Sequence, residues 1–180
     1  MISVRGKIWF LLLALIRRRI GSLLKVTKSK KIRAASQRWK NNNKFKISEK
    51  ILNTIKVIEF EPHNSNNDNI ILYLHGGGYV TCGPETHASL VMQLSEFTKS
   101  KVIFPDYRLA PKDPFPAAID DCLMVYKDLV SNGVNSKNIS LVGDSAGGGL
   151  VMALLQILHK ENFDMPSSAV LISPWTDLTL

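Results

Sequence analysis

The sequence predicts an α/β fold: a mostly parallel sheet with helices on both faces, preceded by a basic, helix-prone arm. Three observations carry this expectation. Short apolar runs rich in Ile, Val and Leu recur at 55–60, 70–74, 101–104, 139–143 and 168–172. Segments with helical spacing separate them, at 85–99, 117–131 and 146–160. The runs at 139–142 and 169–172 are apolar almost without interruption, as strands buried on both faces are. Strands alternating with helices indicate parallel crossovers.

The arm comes first. Residues 1–50 hold 15 Lys and Arg against one acid, Glu49, a net charge of +14, while residues 51–180 carry −6, which together give the chain's +8. Such asymmetry marks a basic arm, 1–50, on a mildly acidic body, 51–180. Ile8 to Ile16 are nine apolar residues followed by Arg17, Arg18 and Arg19. A membrane span needs about 20 such residues. The arginines also occupy the place of a signal peptide's small-residue cleavage site. Trp9, Leu12, Leu13, Ile16, Ile20, Leu23 and Leu24 keep helical spacing through the arginines, so an amphipathic helix is expected. Its apolar face and basic residues suit peripheral attachment of 8–24 to an anionic membrane surface. Nucleic-acid binding ranks below this, because basic runs are often only solvated.

The body follows. The run Ile70–Leu74 leads directly into His75-Gly76-Gly77-Gly78. No Lys-Ser/Thr pair comes after these glycines, so a phosphate loop is excluded. Pro105, Pro111, Pro114 and Pro116 break any helix between the third run and the second helix. The run from Ile139 enters Gly143-Asp144-Ser145-Ala146-Gly147, and a helical pattern starts at once with Leu150, Val151 and Leu154. G-x-S-x-G alone arises by chance in roughly 6% of chains this long at ordinary glycine frequency. Its setting, strand then tight turn then helix, is what points to a serine nucleophile at the tip of a strained bend. A glycine loop after an earlier strand supplies backbone N–H groups for a developing oxyanion. Both motifs follow strands, so both fall at the carboxyl edge of the sheet.

The site expectations are these. Ser145 is the nucleophile. The N–H groups of Gly77, Gly78 and Ala146 form the oxyanion hole. Tyr79 lines the acyl pocket. His75, Gly76, Gly143, Asp144 and Gly147 support the motifs, with Asp144 structural rather than an acid of a triad. Asp106 and Arg108 brace the edge as an ion pair. Cys82 and Cys122 are too few for a disulfide framework and suit a reduced, cytoplasmic setting. His63 and His87 lack metal spacing; neither a metal site nor a cofactor motif is present.

His75-Gly-Gly-Gly78, Asp106-Tyr-Arg-Leu-Ala-Pro111, Pro114-Phe-Pro-Ala-Ala118, Gly143-Asp-Ser-Ala-Gly-Gly148 and Ser173-Pro-Trp-Thr-Asp-Leu178 resemble successive blocks of the hormone-sensitive-lipase-like esterases of the α/β-hydrolase fold. The resemblance runs from about residue 55 to the end. It implies hydrolysis of a small carboxylic ester through an acyl-enzyme, with no cofactor. It gives the N-terminal arm a second role, as a cap helix over the site. The fold orders its triad as Ser, then an acid, then His. After Ser145 the acids are Glu161, Asp164 and Asp177 and the histidine is His159, on the helix leaving the nucleophile. None suits the triad, so the expectation is the N-terminal portion of an esterase, with acid and base outside these residues. Two other readings stand beside it: a remnant that binds acyl ligands or a partner without catalysis, and an amide-cleaving hydrolase such as a deacetylase.

Overall fold

The computed structural model describes residue 39, residues 42–65 and residues 68–177. The chain divides into two compact units at residue 41, and the second, from Asn42, holds the elements below. The amphipathic helix expected over 8–24 lies outside the described residues.

Six strands form one sheet: β1 (Phe45–Leu52), β2 (Ile55–Pro62), β3 (Ile70–Leu74), β4 (Lys101–Pro105), β5 (Ile139–Asp144) and β6 (Ser168–Ile172). Three helices connect the parallel strands: α1 (Pro84–Thr98), α2 (Ala117–Ser131) and α3 (Ala146–Lys160). The order across the sheet is β1-β2-β4-β3-β5-β6. The pairs β4–β3, β3–β5 and β5–β6 are parallel, while β1–β2 and β2–β4 are antiparallel. The five expected strands and three expected helices are all present, with ends shifted by two residues at most.

One strand departs from the expectation. β1 runs through the boundary drawn at 50/51, so the end of the basic arm is sheet. Its lysines disguised it. Lys46 and Lys50 lie on an edge strand, where lysine blunts unwanted pairing. Ser48 pairs in register with Glu59, and both the Ser48 hydroxyl and Lys50 Nζ bond that carboxylate at 3.0 Å. Asn53, at φ 54°, turns the two-residue hairpin loop.

Topology positions the site. From β3 the chain steps through α1 to β4 on one side, then back over β3 through α2 to β5, and through α3 to β6. Parallel crossovers are right-handed. Steps in opposite directions therefore place α1 on one face and α2 with α3 on the other. Consistent with this, α1 packs on β2 and β4, and α2 packs on α3. Strand alternation divides the core accordingly. Leu72, Leu74, Ile103 and Leu141 pack with Leu150, Leu154 and Leu158 on the α2–α3 face. Ile71, Tyr73, Val102 and Phe104 are buried on the opposite face with Ala88 and Val91 of α1. The strand order reverses between β3 and β5, and the crevice at their carboxyl ends is where such sheets bind ligands.

α3 approaches β3 closely because residue 147 has no side chain. A Cβ there would collide with the carbonyl oxygens of Leu74 and His75. Gly→Ala in an unobstructed helix stabilises by about 0.5–1 kcal/mol. Overpacking against main chain costs about 1–3 kcal/mol, so the collision governs. Gly147→Ala is expected to lower the urea-unfolding midpoint; an unchanged or higher midpoint would contradict this packing.

Candidate active site

The bend expected at Ser145 is present. β5 ends at Asp144, Ser145 sits at φ 50° and ψ −118°, and α3 begins at Ala146. A non-glycine residue in such a region costs on the order of 1–3 kcal/mol and persists only where its surroundings hold it. Two main-chain bonds to the segment around β6 do so: Ser145 N–H donates to Ile172 O at 2.9 Å, and Trp175 N–H donates to Ser145 O at 2.8 Å. The side chain is exposed at the N-terminus of a 15-residue helix, the positive end of its dipole.

The glycine loop leaves β3 beside this bend, joined to it by Asp144. Gly76 N–H donates to Asp144 Oδ1 at 2.9 Å, and Tyr73 Oη–H donates to the same oxygen at 2.8 Å. His87 Nε2, at the start of α1, lies 3.5 Å from it. Asp144 Oδ1 thus gathers groups from β3, the glycine loop and α1. Gly77 O accepts from the N–H groups of Val80 and Thr81, which closes the loop. Among the described residues, the N–H groups of Gly77, Gly78 and Ala146 donate to no protein acceptor. Three unsatisfied donors therefore lie on the two segments that meet at this edge.

His75 is fully buried. Its ring stacks with Tyr107 at 4.1 Å and with Phe104 at 5.5 Å, and its Nδ1 is 2.6 Å from Gly76 O. Burial lowers its pKa to about 4, which keeps the imidazole neutral. A carbonyl only accepts, so Nδ1 carries the hydrogen and Nε2 the lone pair. That buried Nε2 has no protein partner. Burial likewise pushes the phenols of Tyr73 and Tyr107 upward, and Tyr107 Oη–H donates to His75 O at 2.5 Å.

Tyr79 is half-buried after the glycines at φ 61°, its ring 6.0 Å from that of Trp175. A Cβ added at Gly78 would lie 3.9 Å from the Trp175 ring. The ion pair expected between Asp106 and Arg108 is not formed. Arg108 instead binds Asp121 through Nε at 3.0 Å, Nη2 at 2.6 Å and its own backbone N–H at 2.9 Å. Asp121 is fully buried on α2, and a buried carboxylate needs that many donors. Asp106 is tied to β2 instead, its N–H bonded to Lys56 O at 2.9 Å. His159 is exposed on the last turn of α3, about 20 Å along the axis from Ser145 at the helical rise. It does not reach the nucleophile. Cys82 and Cys122 are both free thiols, and burial raises the pKa of Cys122. Among the described residues no cluster of His, Cys, Asp or Glu is placed to hold a metal ion. A polar recess of about 460 Å³ lined by Asp68, Lys101 and Asn135 lies at the amino ends of the strands, away from this edge.

A family model described as the alpha/beta hydrolase fold matches residues 71–180, more than half of the chain and both motif segments. The chain belongs to this family. Among curated members, an acetyl-hydrolase of Streptomyces hygroscopicus is 42% identical over 108 residues, which are 60% of this chain and 36% of that protein. The carboxylesterase/phospholipase LipF of Mycobacterium tuberculosis is 45% identical over 109 residues, 61% of this chain and 29% of that protein. Among solved structures, an esterase of the bacterial hormone-sensitive lipase (HSL) family superposes with a TM-score of 0.74 at 35% identity, covering 76% of this chain and 46% of that one. An HSL homologue from a metagenome library superposes at 0.76 with 34% identity, covering 91% and 58%. The chain thus spans about a third of the length of the curated relatives it matches. The resemblance read from the motifs and the mostly parallel α/β-hydrolase sheet are both upheld. No helix among the described residues is long and apolar enough to cross a membrane.

Sequence reasoning did not single out Tyr73, Tyr107, His87 or Trp175 as parts of the site. Tyr73 left a signal: a hydroxyl near the end of an aliphatic strand, three residues before the first glycine.

The buried imidazole has a pH consequence. An unfolded histidine takes up its proton near pH 6.5, while folded His75 resists until about pH 4. Its contribution to stability is complete above pH 6.5 and is lost as pH falls toward 4, a total of roughly 3 kcal/mol. Urea unfolding across this range should show that decline, and His75→Asn should flatten it.

Proposed function

We propose that this chain carries the nucleophile and oxyanion portion of a carboxylic-ester hydrolase. The observation that carries the reading is Ser145 held at positive φ beside three unsatisfied backbone donors. In this reading Ser145 Oγ attacks the ester carbonyl carbon, and its proton passes to a general base. The N–H groups of Gly77, Gly78 and Ala146 hold the carbonyl oxygen as it becomes an oxyanion, and losing one such donor costs roughly 3–4 kcal/mol. Collapse releases the alcohol and leaves an acyl group on Ser145; water then releases the acid. Tyr79 bounds the acyl pocket. The relatives' names support ester substrates, and one solved esterase at 38% identity was soaked with p-nitrophenyl butyrate. A fluorophosphonate probe is expected to label Ser145, with no labelling of Ser145→Ala. An unlabelled wild type, or equal labelling of the variant, would sink the nucleophile assignment. Esters of graded acyl length would then define the substrate.

The basic segment 8–24 supports a second element of the reading, peripheral attachment to an anionic lipid surface. The full chain should float with phosphatidylserine vesicles at low salt and not with neutral ones; salt-insensitive or equal flotation would reject this.

A further inference from the structure

We propose that His75 is a positioning residue: it fixes the orientation of the Gly76–Gly77 peptide and so aims the Gly77 N–H. The inference rests on the reading of Ser145 and its donors given above.

The Gly76–Gly77 peptide is trans. In a trans peptide the carbonyl and the following N–H point in opposite directions. Gly76 O is held toward the His75 ring by the 2.6 Å bond from Nδ1–H. The ring is fully buried, so the Gly77 N–H at the other pole of the peptide points away from the core. That N–H is among those without a protein acceptor.

The anchor matters because both residues of this peptide are glycines. Rotating the peptide plane turns ψ of residue 76 and φ of residue 77 together, and no Cβ resists that rotation. Gly77 already sits at φ 123°, a value open to glycine. A flip would present a carbonyl oxygen where the N–H should be and repel a developing oxyanion. Gly76 N–H is bonded to Asp144. That bond fixes the preceding peptide but leaves the Gly76–Gly77 plane free. His75 closes this remaining freedom, and its own freedom is closed in turn. Tyr107 stacks on the ring at 9° and donates to the His75 carbonyl, and Phe104 stacks at 4°. The neutral Nδ1–H tautomer offers one donor, and Gly76 O at 2.6 Å is its nearer acceptor; Tyr107 Oη, 3.3 Å from Nδ1, spends its own hydrogen on the His75 carbonyl.

Two variants separate donor from packing. His75→Phe keeps an aromatic ring and removes the N–H. His75→Asn keeps an amide N–H near the place of Nδ1 and gives up the stack. In the full chain, His75→Phe is expected to slow fluorophosphonate labelling of Ser145 by about 100-fold, as losing one oxyanion donor does. It should also displace or broaden the Gly77 amide resonance in a nitrogen–proton correlation spectrum. His75→Asn should recover most of the labelling rate and the Gly77 resonance. Wild-type labelling by His75→Phe with an unmoved Gly77 amide would overturn the inference. If His75→Phe does not fold, His75→Asn against His75→Gln decides, because the longer amide places its N–H near Nε2; equal rates and equal Gly77 shifts would overturn it. A wild type that is never labelled, but whose Gly77 amide responds to His75→Phe, would reject the proposed function and keep the orientation.

Discussion

The hydrogen bond from Gly76 N–H to Asp144 Oδ1 is the constraint on which the site depends. Asp144 is the last residue of β5 and the neighbour of Ser145, while Gly76 lies two residues beyond the end of β3. One bond therefore ties the loop with the unsatisfied donors to the bend with the hydroxyl. It crosses the sheet where the strand order reverses. A hydrogen bond to a charged acceptor is worth about 1.5–3 kcal/mol, enough to resist thermal opening of the edge. Tyr73, donating to the same oxygen, holds the carboxylate where Gly76 needs it.

The opposite side of the bend is held by main chain alone. β6 offers Ile172 O to the Ser145 N–H, and the turn after it returns the Trp175 N–H to Ser145 O. Strain at Ser145 is thus sustained by a strand added late in the chain. The two systems are independent: side-chain acceptors from β5 hold the glycine loop, and backbone groups from the β6 region hold the serine. Between them lie the Tyr79 and Trp175 rings, apolar surfaces beside a polar centre.

Much of this was legible in the residues. The apolar runs and helical segments located five strands and three helices because helices display a striped face and central strands are apolar nearly throughout; β6, expected to be buried on both faces, instead leaves Val170 and Ile172 exposed. The two motifs pointed to this edge because glycines just after a strand end and a serine between small residues have few other uses. What was not legible is long-range or disguised. β1 alternates lysine and serine with apolar residues, and its charge resembled that of the arm before it. The nearest acid to Arg108 in sequence is Asp106, whereas α2 delivers Asp121 from thirteen residues further on. The stack around His75 joins a loop to the end of β4 and the segment after it, and no spacing in the chain announces that meeting.

The glycines of the loop also set how such a site can change over evolutionary time. A side chain at Gly76 would run into Asp144, main chain included, and no substitution elsewhere relocates a backbone oxygen. That position is closed to drift. Gly78 is limited differently: a Cβ there would make only ordinary contacts, with the Trp175 ring and Val80 Cγ2 at 3.9 Å, but its φ of 63° is strained for a side chain. Main-chain collision holds residues 76 and 77 to glycine and backbone conformation disfavours a side chain at 78, so change at this edge falls to the side chains around the loop rather than to the loop itself.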